Sequence, residues 1–218
     1  MGRLFRVYEK RGWNAHIHML RNHYRMHEDI AELIAHYYDH KLQAQREEQR
    51  DPLDLKDLPH PFDKRLIWID CPPSEDDYYD PKMSQGIVRL VKKMQELGII
   101  KDTEKDIGIV APYRAMIHII KKDIGEITVD TVERYQGSER SVMILAFPLR
   151  SKRGIRSLQS LSSDGKVDRK LNVALSRAKE RLIVMANKEI CLDSIHYRKL
   201  FEQISSQGAI LRLQDLEF

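Results

Sequence analysis

Short apolar runs recur along the chain, and the segments between them carry apolar residues at helical spacing. Six of these runs have the length and the continuous apolar character of buried strands. They lie at residues 65–70, 107–111, 127–132, 141–147, 181–186 and 209–213. Continuous apolar strands that alternate with helices are typical of a parallel sheet covered on both faces. The pattern therefore predicts an α/β fold with a mostly parallel central sheet flanked by helices.

Apolar residues at three- and four-residue intervals predict the helices that accompany these strands. One helix is predicted to begin near Glu28, where an acidic side chain suits the positive end of the helix dipole. Another is predicted over residues 84–98, with apolar residues along one side. Further helices are predicted from Pro112, because proline is favoured at a first helical position, and near residues 193–206. Residues 4–20 predict a helix followed by a short strand.

Two segments interrupt the alternation and are predicted to be surface loops of a single domain spanning residues 1–218. Residues 43–63 are polar and acidic and contain three prolines, which interrupt regular structure. Residues 150–166 are basic and poor in apolar residues. Neither segment shows a sustained period of 2 or 3.6 residues, so neither predicts a strand or a helix.

Composition places the chain among globular proteins. Hydrophobic residues make up 42% of the sequence and charged residues 32%, which excludes a disordered chain, and no window is apolar enough to span a membrane. The first residues lack the apolar core of a signal peptide. The two cysteines, Cys71 and Cys191, lie far apart in sequence, which favours a reduced, cytoplasmic setting.

The distribution of charge says more than the net charge of +4. Residues 47–80 carry eleven acidic and four basic side chains, whereas residues 147–181 carry ten basic and three acidic side chains. A cationic region of that density suits a polyanionic partner such as phosphate or nucleic acid. On charge alone, an ordinary solvated surface explains the pattern equally well.

The segment 168–187, with the sequence DRKLNVALSRAKERLIVMAN, joins a predicted helix to a predicted strand. A guanidinium on such a short, rigid element suits a bidentate grip on phosphate, and Arg177 is in that position. A solvated helix face would explain a run of charges alone. What favours a site is the set of small residues around the arginine, namely Asn172, Ala174, Ser176 and Ala178.

Pro112 and Tyr113 directly follow a predicted strand, in the sequence GIVAPYRAMI. In open parallel sheets, ligands collect at the carboxyl ends of the strands, so this position is a candidate binding site. The simpler explanation is a helix start, because a proline at the first helical position loses no hydrogen bond.

The sequence TVERYQGSERSVMIL, residues 131–145, places a glycine in a polar turn before another predicted strand. Gly137 permits a tight turn and a close approach of the backbone to a ligand. Gln136 and Glu139 place hydrogen-bonding groups on either side of it. Taken alone, a surface turn with polar neighbours explains the sequence as well.

Tyr24 and Arg25 open the sequence YRMHEDI, just before the first predicted helix. An aromatic face can stack on a nucleotide base, and an arginine can stabilise charge during phosphoryl transfer. A packed aromatic residue beside a surface arginine is the simpler explanation for the pair by itself.

Together, and in their order along the chain, the four sequences resemble motifs of superfamily-1 helicases, in the group that includes the nonsense-mediated-decay helicase and its bacterial relatives. The resemblance covers most of the chain, from about Leu4 to Ile204. It implies a three-layer RecA-like fold of the P-loop NTPase type and the activity of an ATP-dependent DNA or RNA helicase. Ala111, Glu133 and Tyr135 stand where the family usually has other residues.

The resemblance also implies roles for individual residues. The catalytic arginine fingers that reach the phosphates of ATP correspond to Arg25 and Arg177. The adenine-stacking residue corresponds to Tyr24, and the rest of the nucleotide cleft to Gln136, Gly137 and Glu139. The residues that bind a single nucleic-acid strand correspond to Pro112, Tyr113, Thr131 and Asn172. The nucleotide-binding residues are expected to converge on one edge of the sheet, although Arg25 and Arg177 are 152 positions apart.

The chain contains no G-x-x-x-x-G-K-[ST] sequence and no apolar strand that ends in Asp-Glu. In the helicases that it resembles, these parts hold the phosphates and Mg²⁺, and they lie in an earlier domain. We therefore expect the chain to be a second RecA-like domain, which binds ATP with Mg²⁺ together with a first, N-terminal RecA-like domain. By the same reasoning, the isolated chain is expected to be inactive.

The alternative function is a stand-alone nucleic-acid-binding or regulatory module without catalysis; a Walker-type loop encoded upstream would favour the motor. A Rossmann oxidoreductase or methyltransferase is excluded, because the chain has no G-x-G-x-x-G sequence. The pairs His23/His27 and His36/His40 have a spacing that can bind metal on a helix. They lack the glutamate of H-E-x-x-H and any nearby cysteine cluster, so no metal site is expected.

Overall fold

The computed structural model describes residues 7, 11–12, 21–50, 55–135 and 138–216, and a six-stranded parallel sheet forms its centre. A small parallel pair comes first in the chain, β1 (Asn22–His23) with β2 (Gln43–Ala44). The strands of the large sheet are β3 (Leu66–Asp70), β4 (Ile107–Val110), β5 (Thr128–Asp130), β6 (Arg140–Ala146), β7 (Ala178–Ala186) and β8 (Ala209–Arg212). Their order across the sheet is β5-β4-β6-β7-β3-β8, and every neighbouring pair is parallel.

Helices cover both faces of this sheet. The described helices are α1 (Glu28–Ala35), α2 (Pro81–Glu96), α3 (Arg114–Ile124), α4 (Lys152–Leu158), α5 (Arg169–Leu175), α6 (Lys188–Cys191) and α7 (Ile195–Gln207). Buried residues of α2 and α3 belong to one apolar cluster, and those of the other five helices belong to a second cluster. The two clusters are the layers on either side of the sheet. None of the described helices combines the length and the apolar character that a membrane span requires.

Strand β3 shows how the sequence builds both layers at once. Leu66 and Trp68 are buried in the cluster beneath α1 and α7, whereas Ile67 and Ile69 are buried in the cluster beneath α2 and α3. Successive side chains of a strand point to opposite faces, so a strand that is apolar at every position must be covered on both. The predicted three-layer α/β fold with a mostly parallel sheet is confirmed, and all six predicted strands form.

The residue at which a helix begins is set by local capping chemistry more than by hydrophobic spacing. Asp80 accepts hydrogen bonds from the backbone nitrogens of Lys82 and Met83, at 2.9 and 3.1 Å, and Pro81 occupies the first helical position. Helix α2 therefore begins at Pro81 rather than at residue 84, because these groups satisfy the free donors of its first turn. His27 caps α1 in the same manner, with its Nδ1 atom accepting from Asp29 N at 3.2 Å.

The segment 150–166 is not simply the surface loop that its composition predicts. It contains helix α4, and the side chains of Ile155 and Leu158 are buried in the core. Two apolar residues three positions apart are enough to anchor this seven-residue helix, yet too few to produce a periodic signal. Residues 43–63 also hold short structure, β2 and a 3₁₀ turn at Glu47–Gln49. The helix and strand predicted over residues 4–20 lie almost entirely outside the described residues.

Gly208 joins α7 to β8 where two backbones come very close. A Cβ atom at this position would lie 2.2 Å from the carbonyl oxygen of Leu66 and 2.9 Å from that of Ile204. Since neither carbonyl is the end of a flexible side chain, we expect Gly208→Ala to lower the free energy of unfolding by about 1–3 kcal/mol, as overpacked cores do. Chemical denaturation measures the change.

Ser205→Ala is the matched control for this substitution, since Ser205 is exposed on the same helix. We expect that variant to stay within about 0.5 kcal/mol of the parent protein. Equal stability of the Gly208→Ala variant and the control would show that the backbone around β8 can move apart without cost.

Candidate functional site

The register between β6 and β7 brings two predicted site residues together at the amino-terminal edge of the sheet. Arg140 of β6 pairs with Ala178 of β7. Glu139 and Arg177 each precede one of these two residues, so they enter neighbouring strands side by side. A backbone hydrogen bond from Arg140 N to the carbonyl oxygen of Arg177, 3.1 Å long, closes the pair.

Arg25 reaches the same edge from a distant part of the sequence. The chain before α1 is tied to β7 by a hydrogen bond of 2.7 Å from His27 N to the carbonyl oxygen of Lys179. This contact positions Arg25, whose Nε atom donates to Glu139 Oε2 and whose Nη1 atom donates to the carbonyl oxygen of Ser176 at 3.1 Å. The structure thus brings Arg25, Glu139 and Arg177 together.

The guanidinium of Arg177 is held firmly by the backbone. Its Nε atom donates to the carbonyl oxygen of Val173 at 3.2 Å, and its Nη1 atom donates to that of Ser138 at 3.3 Å. Only 8% of the residue is exposed. Burial lowers the pKa of Arg177 and the positive charge of Arg25 lowers it further, while Glu139 acts in the opposite direction. Arginine nevertheless stays protonated in proteins, so the site keeps a positive charge there.

Lys179 is a member of this cluster that the sequence did not single out. Its Nζ atom lies 3.0 Å from Glu139 Oε1, so one carboxylate is shared between Arg25 and Lys179. Three cations therefore surround a single anion, counting Arg177. An excess of positive charge at one sheet edge favours a ligand with several negative charges. The sequence signal for Lys179 was its position two residues after Arg177 in the same cationic run.

The pKa of Glu139 reflects these neighbours. Burial by itself raises the pKa of the carboxyl group, but hydrogen bonds and charge interactions with Arg25 and Lys179 outweigh burial and leave the pKa below its ordinary value. The carboxylate is therefore charged at neutral pH and acts as the counterion of the cluster.

Tyr24 lies beside this cluster with its side chain largely free. The residue is 56% exposed, and the guanidinium of Arg46 lies 5.8 Å from the centre of its ring. An exposed aromatic face next to an arginine is available for stacking. Gln136 and Gly137, the other two predicted cleft residues, lie outside the described residues.

Three of the four residues that are predicted to bind the nucleic-acid strand lie at the opposite, carboxyl-terminal edge of the sheet. Pro112 and Tyr113 follow β4, and Thr131 follows β5, which is the neighbour of β4. Tyr113 is fixed in place, since its hydroxyl group lies 2.6 Å from Ser157 Oγ and its ring packs edge-on against that of Tyr78 at 5.1 Å. Tyr78 itself is 60% exposed.

Asn172 does not join the other three predicted strand-binding residues. It lies in the middle of α5, which runs between the two edges, and its Nδ2 atom donates to the hydroxyl group of Tyr38 at 3.1 Å. Its Oδ1 atom is buried without a hydrogen-bond partner among the described residues. The residues of α5 that line the small pocket of Pro112 and Tyr113 are Lys170, Leu171 and Ala174, and Lys170 is the polar one among them. The spacing within the motif could not separate these two positions.

The histidines have packing and capping roles. His27 is buried and caps α1, and Gln49 Nε2 donates to His23 Nδ1 at 2.9 Å. Burial lowers the pKa of His36 to about 4, with smaller contributions from Lys199 and two histidines, so its ring is neutral at neutral pH. Within the part of the chain that the structure describes, His, Cys, Asp and Glu side chains form no group of three that could hold a metal ion.

The parallel three-layer arrangement is consistent with a RecA-like domain, and the family match and the helicases that are similar to this chain support a superfamily-1 helicase. The chain belongs to the family described as AAA domain, which matches residues 2–189. This match covers more than half of the sequence and includes every predicted site residue.

Several proteins named as helicases are similar to this chain. The probable helicase senataxin of Homo sapiens is 29% identical over 212 residues, which cover 89% of this chain and 7% of senataxin. The DNA polymerase alpha-associated DNA helicase A of Saccharomyces cerevisiae is 28% identical over 222 residues, covering 86% of this chain and 30% of that protein. The human DNA replication ATP-dependent helicase/nuclease DNA2 is 35% identical over 120 residues, 51% of this chain and 10% of that protein. The chain thus spans less than a third of the length of these relatives.

Glu139→Gln tests the electrostatic reading of the cluster. The lowered pKa of Glu139 means that its charge stabilises the fold above the ordinary pKa of 4.5 and that this contribution is lost as the pH falls through the lowered value. Since the three side chains are each about a third or more exposed, we expect the substitution to cost only about 0.2–1 kcal/mol at neutral pH. Urea denaturation at neutral pH and near pH 3.5 should show the difference shrinking on acidification.

The control is Glu202→Gln, an exposed position on α7. That variant should match the parent protein at both pH values. A cost of Glu139→Gln that is the same at both pH values would contradict a contribution from the carboxylate charge.

Proposed function

We propose that this chain is the second motor domain of an ATP-dependent DNA or RNA helicase. Arg25 and Arg177 act as arginine fingers on ATP that is bound chiefly by a first, N-terminal RecA-like domain. That domain also holds the Mg²⁺, because Glu139, the carboxylate of this cluster, is engaged by two cations. When bound, Mg²⁺ neutralises charge on the β- and γ-phosphates.

The observation that carries this proposal is the cluster at the amino-terminal edge of the sheet. Arg25, Arg177 and Lys179 come from two separate segments, and they surround one carboxylate with a surplus of positive charge. Phosphoryl transfer needs little covalent chemistry from the protein, so positioned cations supply most of the catalysis. A guanidinium with two backbone acceptors, as in Arg177, is held in position before the nucleotide arrives.

The rest of the nucleotide cleft follows from the neighbours of this cluster. Tyr24 is exposed next to Arg25 and offers a ring for stacking on adenine. Glu139 is charged and lies between two cations, from which position it can also accept a hydrogen bond from the ribose. We assign Gln136 and Gly137 to the same cleft from their place in the motif.

The nucleic-acid strand binds at the other edge of the sheet in this proposal. Tyr113, held by Ser157 and packed against Tyr78, offers a rigid aromatic surface for a base, with Pro112 and Thr131 beside it. Stacking on aromatic side chains is a common means of holding single strands without sequence preference. Asn172, which donates to the hydroxyl group of Tyr38, is assigned to strand binding from its place in the motif. Closure and opening of the ATP cleft then move the strand-binding edge relative to the first domain.

The isolated 218-residue chain is expected to release no measurable phosphate from ATP, with or without single-stranded nucleic acid. It carries no Walker-type loop, so most of the phosphate- and magnesium-binding groups are missing. A phosphate-release assay on the purified chain tests this expectation. If the isolated chain hydrolyses ATP and the Arg177→Ala variant does not, the proposal that two domains together form the ATP site would be contradicted.

In the full-length helicase, Arg177→Ala is expected to lower ATP turnover by about three to five orders of magnitude, the effect of removing an arginine finger. Strand binding should fall much less, because phosphate contacts are spread over several residues. The same substitution removes two buried hydrogen bonds, so the domain should also lose about 1–3 kcal/mol of stability. Kinetics, strand affinity and melting temperature are measured on the same sample.

Arg177→Lys separates catalysis from folding. Lysine keeps the charge but not the planar fork, so turnover should remain close to that of the alanine variant while stability recovers in part. Near-normal turnover in both variants, with a folded protein, would favour a nucleic-acid-binding or regulatory module in which Arg177 has only a structural role.

A further inference from the structure

A basic cavity lies at the carboxyl-terminal edge of the sheet, apart from the cluster of Arg25, Glu139, Arg177 and Lys179. Its volume is about 460 Å³, and it is enclosed by the ends of β3, β7 and β8 on one side and by helix α2 on the other. Its lining comprises Asp70, Cys71, Pro72, Lys82, Gln85, Arg89, Asn187, Arg212, Leu213 and Gln214. Apart from Asn187, which ends the segment 168–187, none of these residues belongs to a motif that the sequence analysis identified.

The position of this cavity follows from the topology of the sheet. Strands β3 and β7 are neighbours, but the chain leaves them toward opposite faces. After β3 it continues into α2 on one face, and after β7 it continues into α6 and α7 on the other. A crevice necessarily opens between two parallel strands whose connections diverge, and ligands of α/β proteins bind at such points.

The base of the crevice is fixed by polar contacts. Asn187 Nδ2 donates to the carbonyl oxygen of Cys71 at 2.8 Å and so joins the end of β7 to the end of β3. Asp70 Oδ1, the one acidic group of the lining, accepts a hydrogen bond of 2.8 Å from Lys188 N. These contacts make the base of the crevice rigid, and the carboxylate of Asp70 already has a hydrogen-bond partner.

The remaining charges of the lining are positive. Arg89 projects from α2, and its Nε atom is buried without a hydrogen-bond partner among the described residues. Lys82 is exposed on one side of the cavity. Arg212 lies on the other side, where its Nε atom is 3.0 Å from Asp215 Oδ2. Since Arg89 lines the cavity, an anionic oxygen bound there would meet a guanidinium group that keeps its positive charge.

We propose that this cavity binds a nucleotide unit, with its phosphate between Arg89, Lys82 and Arg212. The volume is that of a small-molecule site and is far larger than a bare phosphate needs. Pro72, Cys71 and Leu213 supply an apolar wall for the base or sugar. The nucleotide is either free in solution or one residue of a nucleic-acid strand, and both present the same phosphate to the same cations.

Binding measurements on the 218-residue chain by calorimetry test this site with three probes, namely AMP, a short oligothymidylate and inorganic phosphate. Arg89→Gln should weaken binding of AMP, of the oligonucleotide, or of both by about tenfold or more, since a charge-assisted hydrogen bond is lost. Lys82→Gln is the second variant, and because Lys82 is exposed it should weaken binding without affecting the fold. Melting temperatures verify that each variant is folded.

Two controls make the result specific. Lys92→Gln removes the same charge from an exposed position of the same helix and should change affinity less than about twofold. Lys122→Gln removes a charge from an exposed position of α3, outside the lining of the cavity and outside the proposed ATP cleft, and should leave binding unchanged as well. If the Arg89→Gln and Lys82→Gln variants lose affinity for AMP alone, the ligand is a free nucleotide. If they lose affinity for the oligonucleotide alone, the ligand is a residue of a nucleic-acid strand. Binding unaffected by Arg89→Gln and Lys82→Gln, or phosphate binding as tight as that of AMP, would overturn the proposal.

Discussion

The parallel pairing of β6 with β7 is the constraint on which the candidate site depends. Because Arg140 lies opposite Ala178, the two residues that precede these strands must be neighbours, whatever their separation in sequence. A shift of one residue in a strand turns every side chain to the other face, so the register decides which way the side chains point. The apolar run of β7 is packed against helices on both faces, and an irregularity between Arg140 and Val142 separates its regular pairing from the pair of Arg140 with Ala178. The same burial that stabilises the sheet therefore fixes the geometry of the charges.

The cluster at that edge is held together although it has an excess of like charge. Arg25 and Arg177 repel each other, and this repulsion contributes to the lowered pKa of Arg177. This repulsion is offset in large part by the backbone carbonyl oxygens of Ser138, Val173 and Ser176, because they present partial negative charges to the two guanidinium groups. Glu139 supplies the one full counter-charge from inside the domain. The cations are therefore positioned before any external anion arrives.

Much of the fold could be predicted from the sequence because its signals are local. Each buried strand is apolar at successive positions, and the boundaries of β4 and β6 differ from the expected ones by a single residue. Helix α4 was missed because Ile155 and Leu158 are its only large apolar side chains in the core. The site was only partly predictable for a different reason. The hydrogen bond from His27 N to Lys179, which delivers Arg25 to the cluster, joins backbone atoms and leaves no mark in the sequence. The orientation of Asn172 toward Tyr38 depends equally on tertiary packing.

The parallel sheet also gives the two proposed binding edges a fixed separation. Strand β6 has seven residues, so it is about 23 Å long at the usual rise per residue. A sheet packed on both faces behaves as a stiff lever arm of that length, with the arginine cluster at one end and Tyr113 near the other. In double-stranded DNA, successive nucleotides of one strand are about 3.4 Å apart along the axis, so for a strand that keeps this spacing a tilt of roughly 8° about the ATP edge would carry the far edge across one nucleotide. In the proposed helicase, the length of β6 would thus set the angular stroke that each ATP must produce.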